Sequence, residues 1–214
     1  MTPQPKNKLK NNSAGFSLIE VAIAIVVIGL ITSFTLKGKE LIHTAKLRSV
    51  IEQVNSFRIA VQAFMEKYGS MPGDLVAAND MIGSAVENGR GDGAIASIDD
   101  SRRFWKHLGA SDIIHLEMNN GHPTCKIGGY YSVSTNIAGY PGTWIILSGG
   151  TEDNKRFSGI ISQEDAYFID KNSDTGDPST GDVITLRASD TAAIGPKYDI
   201  KNKNQDCIIM FKIF

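Results

Sequence analysis

The chain has 214 residues, 42% apolar and 21% charged, with a formal charge of −1. That length holds one domain plus an anchor, and the lack of a basic surplus argues against a general grip on nucleic acid. The two cysteines, Cys125 and Cys207, form no CxxC pair, which leaves zinc ribbons and thioredoxin-type redox sites unsupported.

The first 15 residues, MTPQPKNKLKNNSAG, are polar and carry Lys6, Lys8 and Lys10 with no acid. An apolar run follows at once, 21 residues from Phe16 to Leu36 with a single charge, Glu20. As a helix the run spans about 31 Å, the thickness of a bilayer core. No A-x-A-like site closes it, so an ordinary secretory signal peptide fits poorly. Lys37, Lys39, Lys46 and Arg48 follow closely, so lysine counts do not orient the segment.

Glu20 is costly so near a membrane interior. Ser17-Leu18-Ile19-Glu20 fits the S-x-x-E capping box, in which the carboxylate reaches back to a free amide at the helix start. That explains a Glu at this place but not the Gly15-Phe16 pair before it. From Leu47 the residues Leu47, Val50, Val54, Phe57, Val61, Phe64 and Tyr68 recur in steps of three and four, a heptad stripe. One helix is predicted from about Phe16 to Tyr68, roughly 80 Å long, stopped by Gly69, Pro72 and Gly73.

Short helices and loops are predicted over 74–125, with a helix in DDSRRFWKHLGASDII. Strands follow in YYSVSTN, GTWIILSG and RFSGIIS, a short helix in SQEDAYFIDKN, and strands again in DVITLRA and DCIIMFKIF. Helix first and antiparallel strands later make an α+β chain.

GFSLIE, with the basic leader before it and the apolar run after it, resembles the processing signature of type IV pilins and type II secretion pseudopilins. The resemblance implies a pilin-like fold: a long membrane-spanning N-terminal helix packed on a small antiparallel sheet. It divides the chain into a removed leader, 1–15, a transmembrane and filament-core helix, 16–36, and a soluble domain, 37–214, that begins with the second half of the helix. It implies that prepilin peptidase cuts between Gly15 and Phe16 and that Phe16 becomes N-methylated. It also gives Glu20 an assembly role, meeting the cationic terminus of a neighbouring subunit, since two charges in a dry place each need a partner. The implied partners are the peptidase, other pilin or pseudopilin subunits, an inner-membrane assembly platform and membrane lipid. The implied place is the bacterial inner membrane, single-pass with the C-terminal domain periplasmic, and then a pilus or pseudopilus. Many members carry Pro at the position of Lys37, and this chain does not.

Other chemistry is weighed beside that reading. Cys125 and Cys207 form one disulfide if the back half lies outside the cytoplasm, or else two buried thiols; the family's habit of tying its C-terminal region favours the former. Asp170, Asn172 and Asp174 alternate as calcium ligands do, but Gly176 falls one place late and Gly181 stands where Glu is needed. Asp92, Asp99 and Asp100 form a second acidic patch. His115, His122 and Cys125 have zinc-like spacing without a fourth ligand. Arg90-Gly91-Asp92 is an adhesion-like tripeptide, and no G-x-S-x-G or phosphate loop is present. Three functions stay open: a filament subunit, as minor pilin or pseudopilin; a filament-presented adhesin or DNA-uptake module, the latter disfavoured once three leader lysines are removed; and a membrane-tethered periplasmic enzyme. No cofactor, no catalytic residue and no nucleic-acid partner are expected.

Overall fold

The computed structural model describes residues 15–152 and 156–214, without the side chain of Leu36. The expected leader therefore lies, apart from Gly15, outside the described residues. The chain divides into two compact units, 1–43 and 44–214. One helix, α1 (Leu18–Tyr68), runs through both.

In the first unit every described side chain from Phe16 to Thr35 is exposed, although nearly all are apolar. This helix is long and apolar enough to cross a membrane. The polar side chains within the run are answered locally: Thr32 donates to the Ile28 carbonyl at 2.8 Å and Thr35 to that of Ile31 at 2.9 Å. A hydroxyl bonded back to its own helix can enter hydrocarbon without an orphaned donor.

The second unit is built on the heptad stripe. Leu47, Val50, Val54, Phe57, Val61 and Phe64 are all buried, and Tyr68 packs against the edge of the same cluster. The stripe therefore packs on its own domain. α1 stops where Gly69 takes a left-handed φ of +69° and donates to the Met65 carbonyl at 2.8 Å. Gly73 follows at φ +80°, pressed so close to the Phe104 backbone that a Cβ there would meet it at 2.9 Å.

Two helices come next, α2 (Ala78–Met81) and α3 (Ile98–Ala110). α3 begins in a full capping box, Ser97 with Asp100, and buries Phe104, Trp105 and Leu108 on one side, as its sequence predicts. A small hairpin, β1 (Met118–Asn119) and β2 (His122–Pro123), turns through Asn120 and Gly121, both at positive φ. The sequence predicts only short helices and loops over 74–125, so this hairpin is an addition.

The main sheet contains β3 (Tyr130–Ile137), β4 (Tyr140–Ser148), β5 (Val183–Arg187) and β6 (Cys207–Lys212) in the order β3-β4-β6-β5, every pair antiparallel. Between β4 and β5 lies α4 (Gln163–Ser173), capped by Ser162. This is an α+β, pilin-like arrangement. RFSGIIS, expected as a strand, is not one. Its Arg156 and Phe157 lie in a turn, and only Ile161 makes a bridge, to Cys207.

Both faces of the sheet are buried. Ile145, Leu147, Ile209 and Phe211 join the cluster that includes α1, α3 and α4, while Trp144, Ile146, Ile184, Leu186, Ile208 and Met210 form a second cluster on the opposite face. This explains why TWIILS and CIIMF read as continuous apolar runs rather than alternating ones. The outer strands are also met. On β3, the Val133 amide donates to Ser101 Oγ at 2.8 Å and that of Thr135 to the Ile95 carbonyl at 3.0 Å. On β5, Thr185 donates to the Pro178 carbonyl at 2.9 Å and Arg187 to that of Ala192 at 2.8 Å.

Candidate functional site

The start of α1 shows what Glu20 does within one chain. Its Oε2 accepts the Ser17 amide at 3.0 Å, and Ser17 Oγ accepts the Ile19 amide at 3.3 Å. The cap expected from Ser17-x-x-Glu20 is thus formed, and it ends one residue from Phe16. Phe16 is 86% exposed, and a Cβ at Gly15 would meet nothing within 4 Å. Among the described residues, both Gly15 and Phe16 are exposed. Beyond them runs the exposed apolar face of α1.

Residues 10–36 match the family described as the prokaryotic N-terminal methylation motif. The chain carries that motif. It is the signal motif of type IV pilin and pseudopilin precursors, and with the apolar helix it points to membrane anchoring and to processing by prepilin peptidase. No match was found among curated proteins or among solved structures.

The remaining candidates of the sequence lie in the second unit, and the fold separates most of them. Cys125 and Cys207, expected as a disulfide pair, are free and buried. Cys125 Sγ takes the Tyr131 hydroxyl at 3.2 Å, and that hydroxyl also lies 3.1 Å from Gln53 Oε1 on α1. Cys207 Sγ donates to Asp206 Oδ1 at 3.4 Å. Burial raises both thiols, Cys207 to about 12, where the Asp206 carboxylate adds to the effect. Thiols of this kind are poor nucleophiles.

The calcium-like alternation fails because it falls on a helix. Asp170 and Asn172 belong to α4, so they do not share a loop with Asp174. Asp170 is fully buried, accepting the Gly176 amide at 3.0 Å and the Tyr198 hydroxyl at 2.9 Å, and burial raises its carboxyl above the usual range. Asn172 donates to the Phe168 carbonyl, and Asp174 accepts the amides of Asp182 and Val183. The zinc-like trio also diverges: His115 is exposed, His122 bonds to Ser101, and Cys125 bonds to Tyr131. Among the described residues no three His, Cys, Asp or Glu side chains are grouped to hold a metal ion.

Arg90-Gly91-Asp92 is closed upon itself. Arg90 pairs with Asp92 at 3.3 Å and with buried Asp100 at 2.6 Å, while Asp74 clamps the loop from below through the amides of Asp92 and Gly93. Asp100 also takes Arg103 at 3.0 Å, and Asp99 takes Arg102 at 2.5 Å. The second acidic patch is therefore the counter-charge of three arginines. A cleft of about 630 Å³ along α3 is lined by Arg102, Arg103 and Lys106 against Glu87 and Asp99, and each of these cations has a carboxylate within 4 Å.

One pair escaped the sequence reading. His122 Nε2 lies 3.2 Å from Ser101 Oγ, and its Nδ1 donates to the Asn120 carbonyl at 3.2 Å. The spacing resembles a serine nucleophile with its base. Both side chains are fully buried, however, and Ser101 Oγ also accepts the Val133 amide, which makes the pair a clamp between α3, β2 and β3. Burial, with Arg102 and Arg156 nearby, lowers His122 to about 4. No short-range motif marks this pair in the sequence.

Proposed function

We propose that the protein is a filament-forming structural subunit, a minor pilin or pseudopilin, made as a membrane-anchored precursor. Prepilin peptidase hydrolyses the Gly15–Phe16 amide, and Phe16 becomes the N-methylated mature terminus. The domain after α1's apolar half lies in the periplasm until the subunit leaves the bilayer to join a pilus or pseudopilus. The observation that carries this reading is the order of parts within residues 10–36: the last leader lysine, Lys10, the Gly15-Phe16 pair, Glu20, and an apolar helix that the chain leaves uncovered.

In the precursor, Glu20 caps the Ser17 amide. Cleavage places an ammonium group one residue before that amide. In a filament, where lipid and water are both excluded, the carboxylate then meets the ammonium of a neighbouring chain and sets its register.

The test is to shear filaments from cells and sequence the N-terminal peptide by mass spectrometry, with membranes alongside. A peptide beginning at N-methylated Phe16 in either fraction supports the reading, and its presence in the sheared fraction favours a pilin. An intact leader in both fractions would overturn it. Glu20→Ala removes a cap of about 1 kcal/mol, leaves insertion and cleavage intact, and reduces incorporation. Normal incorporation of that variant would sink the role given to Glu20.

A further inference from the structure

The apolar run ends at Leu36, but the exposed apolar surface of α1 does not. Leu41 is 71% and Ile42 60% exposed. Between them and the run stand Lys37 and Lys39, both exposed. At about 1.5 Å per residue, the two lysines sit about 1.5 and 4.5 Å past Leu36. The polar layer on each side of a bilayer core is roughly 5–7 Å deep. With residues 16–36 in the core, Lys37 and Lys39 fall within that polar layer, and Leu41 and Ile42, about 7.5 and 9 Å past Leu36, lie at and just beyond its outer edge.

We propose that Lys37 and Lys39 form a binding site for anionic phospholipid headgroups at the C-terminal end of the anchor. The chemistry is a phosphodiester oxygen accepting from each ammonium, at a depth set by the apolar run that ends at Leu36. Within residues 37–51 Glu40 is the single acid, against Lys37, Lys39, Lys46 and Arg48, so the stretch keeps a positive balance. A zwitterionic headgroup offers the same phosphate but carries a cation of its own, which the lysines repel. The site retains the subunit in the membrane and must release its lipids when the subunit is withdrawn. This inference rests on the anchor reading above.

The test uses the full chain in nanodiscs of equal parts phosphatidylglycerol and phosphatidylcholine, with co-released lipids counted by native mass spectrometry. The wild type is expected to retain phosphatidylglycerol over phosphatidylcholine by about fivefold or more. K37Q/K39Q is expected to retain them about equally, whereas K37R/K39R and the distant K201Q/K203Q keep the preference. Excess inorganic phosphate should leave it unchanged; loss of the preference under phosphate would assign the site to free anion and overturn the lipid assignment. Equal retention by the wild type, or an unchanged preference in K37Q/K39Q, overturns the proposal alone. Failure of the wild-type chain to enter nanodiscs overturns the anchor reading and this one together.

Discussion

His122 makes the stability of the second unit depend on pH, and the size of the effect can be worked out. In the unfolded chain its imidazole titrates near 6.5, and in the fold near 4. The folded value is depressed, so between these limits the unfolded state binds more protons. The stabilisation is complete above pH 6.5 and drains away as the pH falls toward 4. At about 1.4 kcal/mol per tenfold, a gap of about 2.5 pH corresponds to about 3 kcal/mol lost by pH 4. The neutral ring accepts from Ser101, donates to Asn120, and sits fully buried near Arg102 and Arg156. Urea unfolding of the full chain in mild detergent, followed by the fluorescence of buried Trp105 and Trp144, measures the loss. His122→Gln should flatten the profile between pH 6.5 and 4, whatever its own baseline stability. His107 is lowered by burial and adds loss of the same sign, while Asp170, raised by burial, acts in the opposite sense; the difference between wild type and variant isolates His122. An equal acid loss in the variant would refute the reasoning.

Phe57→Ala removes a ring that sits edge-on to Trp105 at 4.9 Å and to Tyr131 at 5.2 Å. It should destabilise the second unit by about 3–5 kcal/mol, read as a lower urea midpoint; a change within experimental error would mean that α1 is not packed as described. Alkylation of protein unfolded without reductant, followed by intact mass, should label both Cys125 and Cys207, whereas folded protein should label slowly. A mass short of both labels would reveal a disulfide. Asp100→Asn leaves Arg90 and Arg103 facing a neutral amide and weakens the box that starts α3. A destabilisation of roughly 2–4 kcal/mol is expected, and a shift below about 0.5 kcal/mol would count Asp100 as a surface charge.

The spine and its signal were legible in sequence because each depends on spacing. The heptad stripe from Leu47 to Tyr68 maps onto the core with Tyr68 at its margin, and the cap at Glu20 is present as its S-x-x-E pattern foretold. α3 and α4 were legible too, from DDSRRFWKHLGASDII and SQEDAYFIDKN, although the cap at Ser97 that starts α3 was read only from the structure. What failed did so where local pattern and tertiary contact disagree. Ser162 carries its helix through Asp170 and Asn172, which turns a ligand-like alternation into two helix positions. RFSGIIS has the composition of a strand, but Gly159 packs against the Gln205 and Asp206 backbone and only Ile161 pairs, with Cys207 at the start of β6. The Ser101–His122 clamp joins residues 21 apart through two chain reversals, and no periodicity records that.

The pairing of the outer strands bears on how copies of this chain can and cannot join. An open row of amides and carbonyls on such a domain would recruit the next copy strand to strand, and the product would be amyloid-like and irreversible. Here Ser101, Ile95, Pro178 and Ala192 occupy the places a foreign strand would take on β3 and β5. On the filament reading proposed above, the joint between copies falls to the exposed apolar face of α1, and the sheet stays out of it.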